Sequence, residues 1–211
     1  MPGAATFLLL NSDPTEAAII FDALKLDEKQ LVLFAVNDNP DVEWAAGGAH
    51  WSCLAYHRAT NTFRHYDSSA PHNSRVARRL ADAAAPLVQS RGDSSSNSSS
   101  AMFPLLVEVA ATPQQKNSND CGVYVLAVAR ELCSSLAHAQ QQHGSAAEAC
   151  WWRLSDEQET ELLQQITPAG VANMREELLS VISSLADHVP ADESANGAAA
   201  AAAACRGEML L

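Results

Sequence analysis

Cys121 follows the polar segment Gln114 to Asp120 and opens the nearly unbroken apolar run GVYVLAV. A thiol at the start of a helix meets the positive end of its dipole, which favours thiolate over thiol. Gly122 leaves room beside the sulfur for a substrate backbone. A cysteine nucleophile also needs a base held in one orientation and donors aimed at the oxyanion it creates. His50 opens one predicted strand and Asp67 closes the strand predicted to return beside it, with their midpoint between Arg58 and Ala59 in the predicted turn. Directly opposite residues of an antiparallel pair share a face. In that register the carboxylate would fix one ring nitrogen and turn the other towards the thiol. Gln115, six residues before the cysteine, offers an amide donor beside the Cys121 backbone N–H. The competing reading of Cys121 is a buried small hydrophobe, the commoner fate of free cysteine. The polar approach and the His/Asp pair favour the nucleophile.

The chain has 211 residues, enough for one sizeable core. Its net charge of −12 argues against nucleic acid and against anionic membrane surfaces as partners. No apolar run has the length needed to cross a bilayer. Five cysteines (53, 121, 133, 150 and 205), an odd count with no CxxC pair, fit a reduced intracellular compartment and no zinc site. Cys53, Cys133, Cys150 and Cys205 read as structural. His57, His65 and His72 lack metal-ligand spacing, and Gly47–Gly48 lacks the Lys-Ser or Lys-Thr of a phosphate loop. Neither metal nor organic cofactor is expected, and the chain is expected to be a monomer.

Several elements must position these residues. ATFLLL (5–10) reads as a strand, and DPTEAAIIFDAL as a helix capped by Asp13 with Pro14 at its first position and Glu16 closing a capping box. QLVLFAV is a strand, NDNPDVEWAAGG a loop, and residues 50–67 a hairpin. HNSRVARRLADAAAPLV is a helix with Val76, Leu80, Ala84 and Leu87 on one face, while Arg75, Arg78 and Arg79 are solvated. The serine-rich stretch near 91–100 reads as a flexible insertion, and PLLVEV as a strand. CGVYVLAVARELC is a helix apolar on nearly every side. Ser155 and Gln158 form a capping box before another helix. An amphipathic helix with Val171, Met174, Leu178, Val181 and Leu185 on one face ends the domain. The expected organisation is an α+β domain over 1–187 and a low-complexity alanine-rich tail over 188–211.

The order His50-Trp51, Asp67, then Gln115-x-Asn117-x-x-Asp120-Cys121-Gly122 resembles the ubiquitin-like-protein-specific cysteine proteases, the sentrin-specific protease family. FAVNDNP, AAGGAHWS, FRHYDSS, QQKNSNDCG and the late TPA segment are similar to its deneddylase branch, which processes the Nedd/Rub modifier. The likeness covers about residues 5 to 187. It implies a papain-like, adenain-like fold with a central mixed sheet flanked by helices. It further implies His50, Asp67 and Cys121 as the catalytic set, with Gln115 in the oxyanion hole. Trp51 would wall a narrow channel for a diglycine tail, glycine being the residue whose backbone can thread so closely. The implied partner is a ubiquitin-like modifier and its conjugates, Nedd/Rub ahead of its sentrin (SUMO) cousin, in cytoplasm or nucleus. Two departures accompany the likeness: family members usually begin with a further helical segment carrying a Trp-Leu pair, after which this chain starts, and Asn119 stands where an aromatic is common. A module that grips the modifier without cutting it, and an acyltransferase on the same thiol scaffold, are the alternative readings.

Overall fold

The structure, a computed structural model, describes residues 1, 3–41, 47–89, 103–143 and 152–186. The continuous apolar run in LVLFAVN forms β1 (Leu31–Asn37), which buries Val32, Phe34 and Val36 at every second position. Its antiparallel partner β2 (Trp51–His57) is buried at every position after Trp51, because both of its faces are covered. A tight turn through Arg58–Thr60 ends on Asn61 at φ 48°, a left-handed conformation that asparagine tolerates better than most residues. The chain returns as β3 (Thr62–Tyr66), antiparallel to β2, and β4 (Leu105–Glu108) joins β3 in parallel. The sheet is therefore mixed, in the order β1-β2-β3-β4.

Helices α1 (Gly3–Asn11), α2 (Pro14–Phe21) and α3 (Ser74–Val88) cover one face. Their core unites Leu9, Phe21, Leu80 and Val88 with Phe34, Leu54 and Phe63 of the sheet. Residues 5–10, expected as a strand, lie in α1. A short apolar run has no periodicity that separates helix from strand; here packing decides, burying Thr6 and Leu9 three residues apart while Leu8 is exposed. The α2 start has Pro14 in its first turn and the Asp13 carboxylate accepting from the Thr15 N–H at 2.8 Å, but the capping box expected with Glu16 does not form. On α3 the buried stripe is Ala77, Leu80, Ala81, Ala84, Ala85 and Val88, with Val76 and Leu87 only partly buried on its flanks. Four small alanines allow close approach to the sheet, which moves the stripe by one position. Arg75, Arg78 and Arg79 are exposed.

The opposite face carries α4 (Cys121–His143) and α5 (Asp156–Gln164). α4 packs on β2 and buries Val123, Tyr124, Ala127, Val128 and Leu132, but leaves Leu126 exposed. Its apolar surface is thus covered on one side and not all round. The Ser155–Gln158 capping box forms as expected. Beneath α5 the packing is polar: buried Glu159 accepts from the Tyr66 hydroxyl at 2.6 Å and pairs with Arg64, which also reaches Asp156. Trp152 stacks on His57 at 5.1 Å and donates to Ser135 Oγ of α4.

Two compact units are distinguished, Met1–Val171 and the part from Ala172 onward, with the boundary inside α6 (Pro168–Ala186). Val171 and Met174, expected on its apolar face, are buried, whereas Val181 and Leu185, expected there too, are exposed. No helix among the described residues is long and apolar enough to cross a membrane. The serine-rich insertion, the alanine-rich tail, Cys150 and Cys205 lie outside the described residues. Cys53 is buried, and its burial pushes the thiol up to about 12; Cys133 is exposed on α4.

Burial, with Arg64 adding a like charge, lowers the His57 pKa to about 3 from 6.5. The unfolded chain therefore takes up a proton that the native state refuses. Stability contributed by neutral His57 is complete above pH 6.5 and is lost progressively as pH falls towards about 3. Urea unfolding at a series of pH values is expected to show this slope, and His57→Gln to flatten it.

Candidate functional site

β2 and β3 end side by side, and just beyond their last pairs His50 Nε2 meets Asp67 Oδ1 at 2.6 Å, with both residues buried. The register differs from the expected one by two residues. Cys53 faces Tyr66, so continuation of the ladder sets Asp67 opposite Ser52, not His50. His50 and Asp67 are diagonal neighbours. They still share a face because a shift of two preserves the side-chain alternation.

Burial raises the Asp67 pKa, but the Asn73 N–H at Oδ2 (2.9 Å), the Ser69 N–H at Oδ1 (2.8 Å) and His50 lower it further, leaving a net downward shift. The carboxylate is thereby held ionised. Asp38 secures His50 from behind: its Oδ1 accepts the N–H groups of Ala49 (2.6 Å) and His50 (3.0 Å), and its Oδ2 meets His72 Nε2 at 2.9 Å. Desolvation of Asp38 is likewise outweighed, first by the His50 N–H and then by His72 and Ala49, so its pKa is lowered too. The His72 ring tilts against that of His50, with centroids 4.8 Å apart.

Asp67 engages Nε2, so Nδ1 is the ring nitrogen left for a second partner. Cys121 is the first residue of α4 and is buried. Among the described residues its sulfur makes no hydrogen bond to His50. Thr112 to Asp120 carries the chain from the His/Asp pair to the cysteine. Gln114 Nε2 donates to the Asp67 and Thr112 carbonyls, both at 2.9 Å, and its Oε1 accepts the Ala70 N–H at 3.1 Å. Gln115 donates its backbone N–H to the Ser68 carbonyl at 2.8 Å, and its Oε1 accepts the Ser68 hydroxyl at 2.7 Å. Its Nε2 spends one hydrogen on the Asn117 carbonyl at 2.6 Å. Asn117 then closes the turn, accepting from the N–H groups of Asn119 and Asp120 and donating to the Asp120 carboxylate. The Tyr124 N–H reaches the Asp120 carbonyl at 2.9 Å, which places Asp120 at the start of α4 as its cap.

The structure thus joins His50 to Asp67 and ties Gln115 to Ser68, the residue after Asp67. Trp51 alternates with His50 along the strand and is 37 % exposed. Gly3 lies so near its ring that a Cβ there would stand 2.7 Å from it. The supporting residues Asp38, Ser52, His65, Ser68, Asn73 and Gln114 escape a reading of the chain by spacing. One signal does exist for Ser52 and His65. Period-two reading of β2 and β3 puts both on the face of Leu54 and Phe63, where polar residues must have partners. Among the described residues no cluster of His, Cys, Asp or Glu could hold a metal ion.

The family model described as the Ulp1 protease family, C-terminal catalytic domain, matches residues 23–166. The chain is 36 % identical to NEDD8-specific protease 1 of Arabidopsis thaliana over 88 % of its own length and 73 % of that protein. It is 34 % identical to mouse sentrin-specific protease 8, over 88 % of this chain and 70 % of that one. Against the human sentrin-specific protease 8 the identity is 33 %, over 88 % and 73 % of the two chains.

Gln114→Ala removes the hydrogen bonds to the Asp67 and Thr112 carbonyls and to the exposed Ala70 N–H, and is expected to cost about 0.5 to 1.5 kcal/mol in denaturant unfolding. Asp67 and Asp38 both titrate below their ordinary value of 3.8. Their contribution to stability is present above that pH and disappears as pH falls through their lowered values. Asp67→Asn is expected to weaken the acid limb of the thermal unfolding profile.

Proposed function

The chain belongs to the Ulp1 protease family and is a cysteine-type peptidase, and from that premise we propose that it cleaves after the C-terminal diglycine of a ubiquitin-like modifier, with the NEDD8 type preferred. The observation that carries the catalytic assignment is the buried 2.6 Å bond between His50 Nε2 and Asp67, which commits the ring to offering Nδ1. In this reading His50 takes the Cys121 thiol proton through Nδ1. The thiolate adds to the carbonyl carbon of the terminal glycine, and His50 returns the proton to the departing lysine amine as the amide bond breaks. Water, deprotonated by the same imidazole, then hydrolyses the thioester and releases the modifier with a free carboxylate. Ionised Asp67 stabilises the imidazolium formed midway.

Gln115 is suited to the oxyanion because its other contacts leave one Nε2–H unspent while Ser68 fixes the amide plane. The Cys121 backbone N–H is the second donor. Trp51, partly exposed beside His50, is assigned to the wall of the diglycine channel. The NEDD8 preference rests on the similarity to NEDD8-specific protease 1.

Modifiers carrying a C-terminal electrophile test this directly. NEDD8 is expected to become covalently attached, with attachment lost in Cys121→Ala; faster capture of SUMO or ubiquitin would overturn the preference, and tight binding without capture the catalysis. Gln115→Ala is expected to lower turnover of a C-terminal fluorogenic NEDD8 by about 100- to 1000-fold, the usual effect of deleting one oxyanion donor.

A further inference from the structure

We propose that Glu108 and His65 form a second carboxylate–imidazole pair that positions the first, acting through Ser52 and Asn73. The inference builds on the assignment of His50 as base. Asn73 is the joint. It is fully buried at the start of α3, yet its side chain does not cap that helix. Its backbone N–H holds Asp67 Oδ2, while its Nδ2 donates to the His50 carbonyl at 3.3 Å and to Ser52 Oγ at 3.1 Å. One residue thus grips both members of the His50–Asp67 pair.

The direction of each hydrogen bond follows from the last acceptor. His65 is completely buried, with Nε2 at 2.9 Å from Ser52 Oγ and Nδ1 at 2.7 Å from Glu108 Oε2. An ionised carboxylate only accepts. With the His65 ring neutral, Glu108 holds its one proton on Nδ1 and leaves Nε2 as an acceptor. Ser52 gives its hydroxyl hydrogen to Nε2 and keeps its lone pairs for the Asn73 amide. That sets the Asn73 amide with nitrogen towards the His50 carbonyl and Oδ1 away, where it has no partner among the described residues. The bonds Asn73→Ser52→His65→Glu108 all point one way.

Without an acceptor at 108 the order can reverse. His65 in its other tautomer donates from Nε2 to Ser52, whose hydrogen then turns to Asn73. Satisfying it requires a flipped amide, which brings Oδ1 against the His50 carbonyl oxygen and removes a main-chain anchor of the base. Glu108 has a half-exposed side chain at the sheet edge, and can be changed without opening the core.

The test compares Glu108→Gln, which keeps an acceptor oxygen, with Glu108→Ala and Glu108→Lys, which remove it. Two readouts are taken: kcat and KM on a fluorogenic NEDD8 substrate, and the imidazole N–H proton of the His50–Asp67 bond by NMR. Glu108→Gln is expected to stay near wild type. The Ala and Lys variants are expected to lose about 10- to 100-fold in kcat, the range for a small misplacement of a reacting group, with KM little changed and the His50 proton shifted. Ser52→Ala combined with Glu108→Ala is expected to lose no more than Ser52→Ala alone, since both break one track. Wild-type kcat and an unmoved His50 signal in Glu108→Lys, equal losses in Gln and Ala, or losses that multiply in the double variant would each overturn the proposal. If the wild type turns over no modifier, the catalytic reading fails, and the NMR signal alone decides the positioning role.

Discussion

A carboxylate buried away from water is costly unless its oxygens are filled, and Asp67 fills them with three donors from three different places. His50 comes from the end of β2, Ser69 from the turn after β3, and Asn73 from the start of α3. The sheet and α3 must therefore be docked before the charge can be held, and the carboxylate in turn fixes which ring nitrogen remains open. Much of the site's order follows from this one requirement. Gln114 binds the Asp67 carbonyl, Ser68 binds Gln115, and the loop so anchored leads into α4 at Cys121.

The two faces of the sheet carry different chemistry. α1, α2 and α3 close an apolar core over Phe34, Leu54 and Phe63, whereas α5 sets Glu159 and Asp156 over Arg64 and Tyr66. β2 lies between these layers and is covered on both sides, which makes its end a stiff place from which to project His50. A site on rigid elements holds geometry that a mobile loop does not. Asp38 extends this stiffness into the segment before β2 by holding the His50 main chain directly.

Ser52 and His65 are polar residues on the sheet's otherwise apolar core face. They are tolerated because each has partners, and those partners lead to the His/Asp pair. The same accounting of buried donors and acceptors links fold to chemistry here: a group buried for orientation has to be satisfied by another, until the series ends at a solvated carboxylate, Glu108.

Residue identity and local order in the chain were enough for part of this. The polar approach to Cys121, the hairpin spanning 50–67, the Asp13 and Ser155 caps and the family likeness are local patterns, and local patterns are written in consecutive residues. Tertiary structure decided the rest. ATFLLL became a helix because packing, not its ambiguous run of apolar residues, chose the conformation. The His50–Asp67 register lies two residues from direct opposition, with the shared face preserved by parity. Asn73 spends its side chain on His50 and Ser52 instead of on the end of α3, and Glu159 found Arg64 across 95 positions of sequence. Such pairings depend on which buried groups still lack a partner once the layers close. That quantity belongs to the folded molecule and has no signature in spacing along the chain.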